Sequence, residues 1–122
     1  MLWWVASWWS GLGDLQGNEV VGCVGVRQDQ GWLRCNAEVG YWIGRAHWGH
    51  GMATEARRLT SDWAFSELTE LTRLYAPIFD WNTASRSVAK RAGYALEGRM
   101  PLSAIKAGRV ISRVIYAKYS AT

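Results

Sequence analysis

The sequence predicts a mixed α/β domain, of α/β or α+β class, with elements in the order β-β-β-α-β-α-β-β. Three observations carry this. β-branched and aromatic runs bounded by turn residues recur at both ends of the chain. The apolar period switches to a helical one at Met52. Between the two regimes a glycine-punctuated loop empties a strand into an amphipathic helix. With 122 residues, 49% of them hydrophobic and 20% charged, the chain is read as one domain, 1–122, around a single core.

Residues 2–9 read as a strand, although their tryptophan pairs do not alternate cleanly with polar residues. Gly11-Leu12-Gly13-Asp14 and Gln16-Gly17-Asn18 supply turns. The run 20–26 is β-branched and ends in a second turn, Gln28-Asp29-Gln30-Gly31, before a strand over about 35–43; the two form a hairpin. From Met52 to about Leu68 a helix is expected, with Met52, Ala56, Leu59 and Trp63 on its buried side. Glu55, Arg57, Arg58, Ser61 and Asp62 fall on the opposite side. Residues 73–79 read as a strand whose Pro77 lacks a backbone donor, tolerable where a neighbour has diverged or at an edge. Asn82-Thr83-Ala84-Ser85 opens a short helix with a side-chain cap, and Gly93 stops it. Strands over 94–100 and 110–119 close the domain around a connection at 101–108.

The net charge of +4 would suit nucleic acid, an acidic membrane or a polyanionic small ligand. Its arginines are scattered, without the dense block of a nucleic-acid arm, so a phosphate-bearing small ligand fits best. No nucleic-acid or membrane partner is expected. Cys23 and Cys35 lack metal-ligand spacing and read as free, buried thiols, so no metal site is indicated. The apolar start is too short to span a bilayer and lacks the basic residues of a secretion signal, which places the protein in the cytoplasm. Five of nine tryptophans, Trp3, Trp4, Trp8, Trp9 and Trp32, fall in the first third and suit either a covered surface or core packing.

The segment Trp42-Ile43-Gly44-Arg45-Ala46-His47-Trp48-Gly49-His50-Gly51-Met52-Ala53-Thr54-Glu55-Ala56 builds an anion site. Backbone N–H groups near Gly49 and Gly51 can close on a phosphate while the following helix aims its first-turn donors at the same spot. The helix dipole adds only about 0.3–1 kcal/mol, so hydrogen bonds carry the binding. A diphosphate is the leading ligand. His50 either touches a phosphate or is solvated, and His47 reads as structural. Two such histidines make a Ser-His-Asp hydrolase a poor fit. Tyr75 and Tyr94 read as core.

The ordered set Ala37-Glu38-Val39-Gly40-Tyr41-Trp42-Ile43-Gly44, Trp48-Gly49-His50-Gly51-Met52-Ala53-Thr54-Glu55-Ala56, Asn82-Thr83-Ala84-Ser85-Arg86, Lys90-Arg91-Ala92-Gly93-Tyr94 and Glu97-Gly98 resembles the GNAT superfamily of acetyl-CoA-dependent N-acetyltransferases. Within it the likeness is to the branch of ribosomal-protein N-terminal (Rim-type) acetyltransferases, over about residues 17–119. The superfamily's pyrophosphate loop, usually Gln/Arg-x-x-Gly-x-Gly/Ala, maps onto Trp48-Gly49-His50-Gly51-Met52-Ala53, with Trp48 departing from the usual first residue. The resemblance implies a mixed, largely antiparallel sheet with a central splayed parallel pair and flanking helices. It also implies that the strand ending near Gly44 parts from the strand at 73–80, leaving Pro77 without a ladder to disrupt. Members normally begin with a strand and two helices that wall the acceptor pocket. This chain begins too late to contain them and is read as N-terminally truncated. Apolar surface left in their place would favour a homodimer.

By resemblance the reaction is acetyl transfer from acetyl-CoA to a primary amine, a protein N-terminus or a small molecule, by direct attack in a ternary complex. The amine must be neutral: at pH 7 this costs roughly 1.4 kcal/mol for an α-amino group and about 4–5 for a lysine. Glu38 is the candidate proton acceptor, with an exposed strand carboxylate as its bland alternative. Ser85 is placed near the thioester sulfur, as donor to the departing thiolate, against a rival role in the first turn of its helix. Cofactor contacts are expected from Trp42, Ile43 and Gly44 to the pantetheine amides, and from Trp48, Gly49, His50, Gly51, Met52, Ala53 and Thr54 at the loop. Asn82 and Ser85 complete the set, Asn82 doubling as an N-cap. The competing readings are a noncatalytic acyl-CoA-binding module and a basic, aromatic nucleic-acid binder.

Overall fold

In the computed structural model, which describes residues 2–9, 20–43 and 52–121, one six-stranded sheet runs in the order β1-β2-β3-β4-β6-β5. Its strands are β1 (Leu2–Trp9), β2 (Val20–Gln28), β3 (Asn36–Ile43), β4 (Arg73–Phe79), β5 (Ala95–Lys106) and β6 (Arg109–Tyr119). Helix α1 (Met52–Glu67) precedes β4 and α2 (Thr83–Arg91) follows it, as the sequence predicts. For residues 2–9, 20–24, 41–43 and 52–53 only the backbone is described. All strand pairs are antiparallel except β3 with β4.

The β2–β3 hairpin forms where turn residues predicted it, with a short 3-10 helix at Gly31–Leu33 in the connection. Its register sets Val26 opposite Val39 and Arg27 opposite Glu38, so one sheet face is apolar and the other carries charge. The apolar face continues through Ala37, Leu74, Ala76, Ile78, Val114 and Tyr116, all buried, and both helices pack on it. On the opposite face Arg27, Glu38, Arg73, Tyr75, Pro77 and Phe79 are only partly covered, and no helix lies over them among the described residues.

Helix α1 is turned from the expected orientation. Leu59 is 60% exposed and Trp63 38%, whereas Arg57, Ser61 and Ala64 are buried. At 100° per residue, the buried stripe sits about 140° around the helix from the apolar one. Of the inward polar groups, Ser61 is satisfied locally. Ser61 Oγ donates to the Arg57 carbonyl at 2.7 Å and shares a 2.6 Å hydrogen bond with the Tyr94 hydroxyl. The Arg57 guanidinium lies 5.1 Å from the centre of the Tyr94 ring. Small Ser61 and Ala64 bring the helix close to the sheet, and hydropathy alone does not register that fit.

The last connection is shorter than predicted. β5 runs through Pro101 to Lys106, and only Ala107 and Gly108, at φ +52° and +75°, form the turn. Pro101 is accommodated because the ladder to β6 is interrupted between Met100 and Ala104, and Leu102 there adopts φ +52°. Ser112 Oγ accepts the Leu102 N–H at 3.0 Å. Cys35 is a free thiol, half-buried and not fully buried as expected; the Cys23 side chain lies outside the described residues. Trp32 is 97% exposed, while the side chains of Trp3, Trp4, Trp8 and Trp9 also lie outside the described residues.

Across β6, Arg73 Nε of β4 donates to Glu97 Oε2 of β5 at 3.0 Å, and the Tyr119 hydroxyl donates to the same oxygen. The Arg73 hydrogen bond, with help from Tyr119, holds the Glu97 carboxyl down at about 2. A depressed carboxyl contributes stability above its unfolded value, about 4.3, and that contribution fades as pH falls toward 2. Wild type should therefore lose more stability than Glu97→Gln between about pH 4.5 and 2 in acid melts. At neutral pH the two should differ by under about 1 kcal/mol, because the pair is solvent-screened.

Candidate functional site

β3 and β4 pair through only three register positions, Asn36 with Arg73, Ala37 with Leu74 and Glu38 with Tyr75. Both strands then continue, β3 to Ile43 and β4 to Phe79, without pairing to each other. Outside this split each remains laddered, β3 to β2 and β4 to β6, so the two edges facing it are held apart by intact neighbours. A wedge results, along both sides of which the backbone polar groups have no strand partner among the described residues. Pro77 lies two residues beyond the last β3–β4 pair, where β4 has no ladder on the wedge side to lose.

The described members of the predicted ligand-binding set stand at the ends of elements that follow the split. Trp42 and Ile43 end β3, Met52, Ala53 and Thr54 form the first turn of α1, and Asn82 and Ser85 begin α2 just past β4. Gly44, Trp48, Gly49, His50 and Gly51 lie outside the described residues. The Asn82 side-chain oxygen accepts the Ser85 N–H at 3.1 Å, the N-cap expected from sequence, so the part of Asn82 left for a ligand is its amide nitrogen. Arg86 anchors this end: its Nε donates to the Tyr116 hydroxyl at 3.1 Å and its Nη1 to the Asp80 carbonyl at 2.9 Å.

Glu38 stands at the opposite, closed end, on the uncovered face. Arg27 Nη2 donates to Glu38 Oε1 at 2.7 Å, engaging one carboxylate oxygen, and the Glu38 side chain stays 30% exposed. It is thus both a cross-strand ion-pair member and open to a third group.

Two residues beside Glu38 escaped the sequence reading. Tyr75, expected in the core, is half-buried on the uncovered face, and its hydroxyl donates to Asp29 at 2.9 Å. Burial first, and then the Asp29 hydrogen bond, push its phenol up to about 12, so it acts as a donor at neutral pH. The Arg73 guanidinium lies 4.8 Å from the centre of its ring. Arg27 is the second. The hairpin register, fixed by the turn at 28–31, was the signal that pointed it at Glu38. Tyr94, by contrast, is in the core as expected, 4% exposed.

Among the described residues no cluster of His, Cys, Asp and Glu fit to hold a metal ion occurs. No helix among them is long and apolar enough to cross a membrane.

Residues 2–95 match the family described as the acetyltransferase (GNAT) domain. The chain is 35% identical over 88 residues to YjcK, a probable N-acetyltransferase of Bacillus subtilis, covering 72% of this chain and 48% of that one. It is 41% identical over 63 residues to YdaF, a putative ribosomal N-acetyltransferase of the same organism, covering 52% of this chain and 34% of the relative. It therefore spans about half the length of YjcK and a third of YdaF. Among solved structures, RimJ of Mycobacterium smegmatis, in complex with CoA-disulfide, superposes with a TM-score of 0.76 at 28% identity, over 84% of this chain and 49% of that one.

Proposed function

The chain belongs to the GNAT acetyltransferase family, and on that premise we propose that it transfers an acetyl group from acetyl-CoA to a primary amine by direct attack in a ternary complex. The observation that carries this reading is the parting of β3 and β4 after Glu38 and Tyr75. An extended ligand arm bearing amides fits between two strand edges that pair with no other strand among the described residues. CoA present in the RimJ structure supports the same ligand here.

Acetyl-CoA supplies an activated acyl carbon; the chain's residues position it and manage protons. In this reading the backbone of Trp42, Ile43 and Gly44 holds the pantetheine amides. The loop Trp48-Gly49-His50-Gly51, with Met52, Ala53 and Thr54 at the helix start, takes the diphosphate on backbone N–H groups. Asn82 contributes its amide nitrogen. Glu38, through the oxygen that Arg27 leaves open, accepts the proton the amine must lose, directly or through one water. Ser85 donates to the departing thiolate. The acceptor is a protein N-terminus or a small-molecule amine, the protein works in the cytoplasm, and a homodimer is the proposed assembly.

Thiol release from acetyl-CoA, followed against a panel of α-amino peptides, lysine side chains and polyamines, tests this reading. Amine-dependent CoA release with a matching mass increase of one acetyl group on the acceptor is expected. Binding of acetyl-CoA with no transfer to any amine would overturn the transferase assignment and leave a binding module.

A further inference from the structure

Beyond the end of β4, an open cleft of about 360 Å³ is lined by Trp81, Lys106, Arg109, Val110 and Ile111. It lies where the β5–β6 hairpin faces the end of β4. Its one aromatic lining residue, Trp81, stacks on Phe79 with ring centres 5.8 Å apart. The Lys106 ammonium sits 5.1 Å and 5.5 Å from the two ring centres. Neither Lys106 nor Arg109 meets a carboxylate among the described residues, and the nearby Asp80 carboxylate is taken by Arg99 at 3.3 Å. Two cations with no acidic partner, set beside half-exposed Trp81 and Val110, make a surface that fits an acidic side chain flanked by apolar ones. Lys106 already covers the rings, which disfavours a flat base stacking there.

The cleft shares a sheet face with Glu38. Tyr75, in register with Glu38, and Phe79 alternate on the same side of β4, four residues or about 13 Å apart at 3.3 Å per residue. An extended polypeptide with its amino group at Glu38 would place its fourth to sixth residues at the cleft. We propose that this cleft is a specificity subsite for a polypeptide acceptor and selects an acidic residue at positions four to six from the acetylated amine. The proposal rests on the transferase reading above and narrows its acceptor to peptide N-termini.

The test compares octapeptides with a free α-amino group that carry Asp or Lys at positions four to six, for wild type, Lys106→Glu and the double variant K106E/R109E, each checked by thermal melting. Exposed ion pairs contribute a few-fold each, so wild type should favour the Asp series by about tenfold in kcat/KM. The single variant should narrow that ratio, the double variant should invert it, and added salt should compress it. A ratio that stays the same in all three proteins, even with overall rates reduced, overturns the proposal. So does inhibition by a short oligonucleotide that K106E/R109E relieves while the peptide ratio is unmoved. Anisotropy with the same peptides N-acetylated and labelled reads the cleft without turnover: the charge-dependent ratio in binding with no transfer to any amine would refute the transferase reading and not the cleft.

Discussion

Glu38→Gln is expected to lower kcat at pH 7 by about 10²- to 10⁴-fold toward an amine with the basicity of lysine, and by less toward an α-amino group. The difference follows from the proton each acceptor must shed, which costs about 4–5 kcal/mol for lysine and roughly 1.4 for an α-amine. The amide keeps the shape of the carboxylate and can still face Arg27 Nη2 through its oxygen, so β2 and β3 should hold their register. What it loses is proton affinity. The deficit should therefore shrink as pH rises toward the amine's own pKa, where the acceptor arrives neutral. A pH–rate profile in which the variant tracks wild type at every pH would assign Glu38 to the ion pair with Arg27 alone.

The second large effect is on stability. Leu74 is fully buried on β4, in register with Ala37 on one side and within the core cluster that includes Ala64 and Ala89, so Leu74→Ala should cost about 2–5 kcal/mol. In a domain of this size that lowers Tm by roughly 10 °C or more. Leu59→Ala, on the exposed side of α1, should cost under about 1 kcal/mol. Denaturant midpoints for the pair measure the orientation of α1. Equal losses from the two would restore the orientation that hydropathy predicted and contradict the buried stripe of Arg57, Ser61 and Ala64.

That helix marks where sequence reading stops. Element order, the β2–β3 hairpin and the Asn82 cap each follow from local chemistry, a turn, a β-branched run or a side-chain acceptor, and each stands in the structure. The buried face of α1 depends on a tertiary fit: Ser61 and Arg57 are admitted inward because Tyr94, 33 residues from Ser61, meets them there. Tyr75 escaped for a related reason. A tyrosine in an apolar strand reads as core until register shows which face it occupies and that Asp29 waits on that face. The β5–β6 turn was overdrawn because Pro101 and Gly108 both signal turns, while the ladder absorbs the first as an irregularity and uses only the second. The split between β3 and β4 was expected from the family resemblance, and Pro77 is its one local trace.

Calorimetric titration of the protein with acetyl-CoA and with CoA reads the acetyl-CoA site at the open end of that split. Wild type should bind saturably at one site. A Gly51→Glu variant, checked for folding by its melt, should lose the binding by 100-fold or more, because its carboxylate fills and repels the diphosphate position, about 2.7 kcal/mol by the affinity scale. A folded wild-type chain that takes up neither ligand, or a variant that binds as well as wild type, would contradict it.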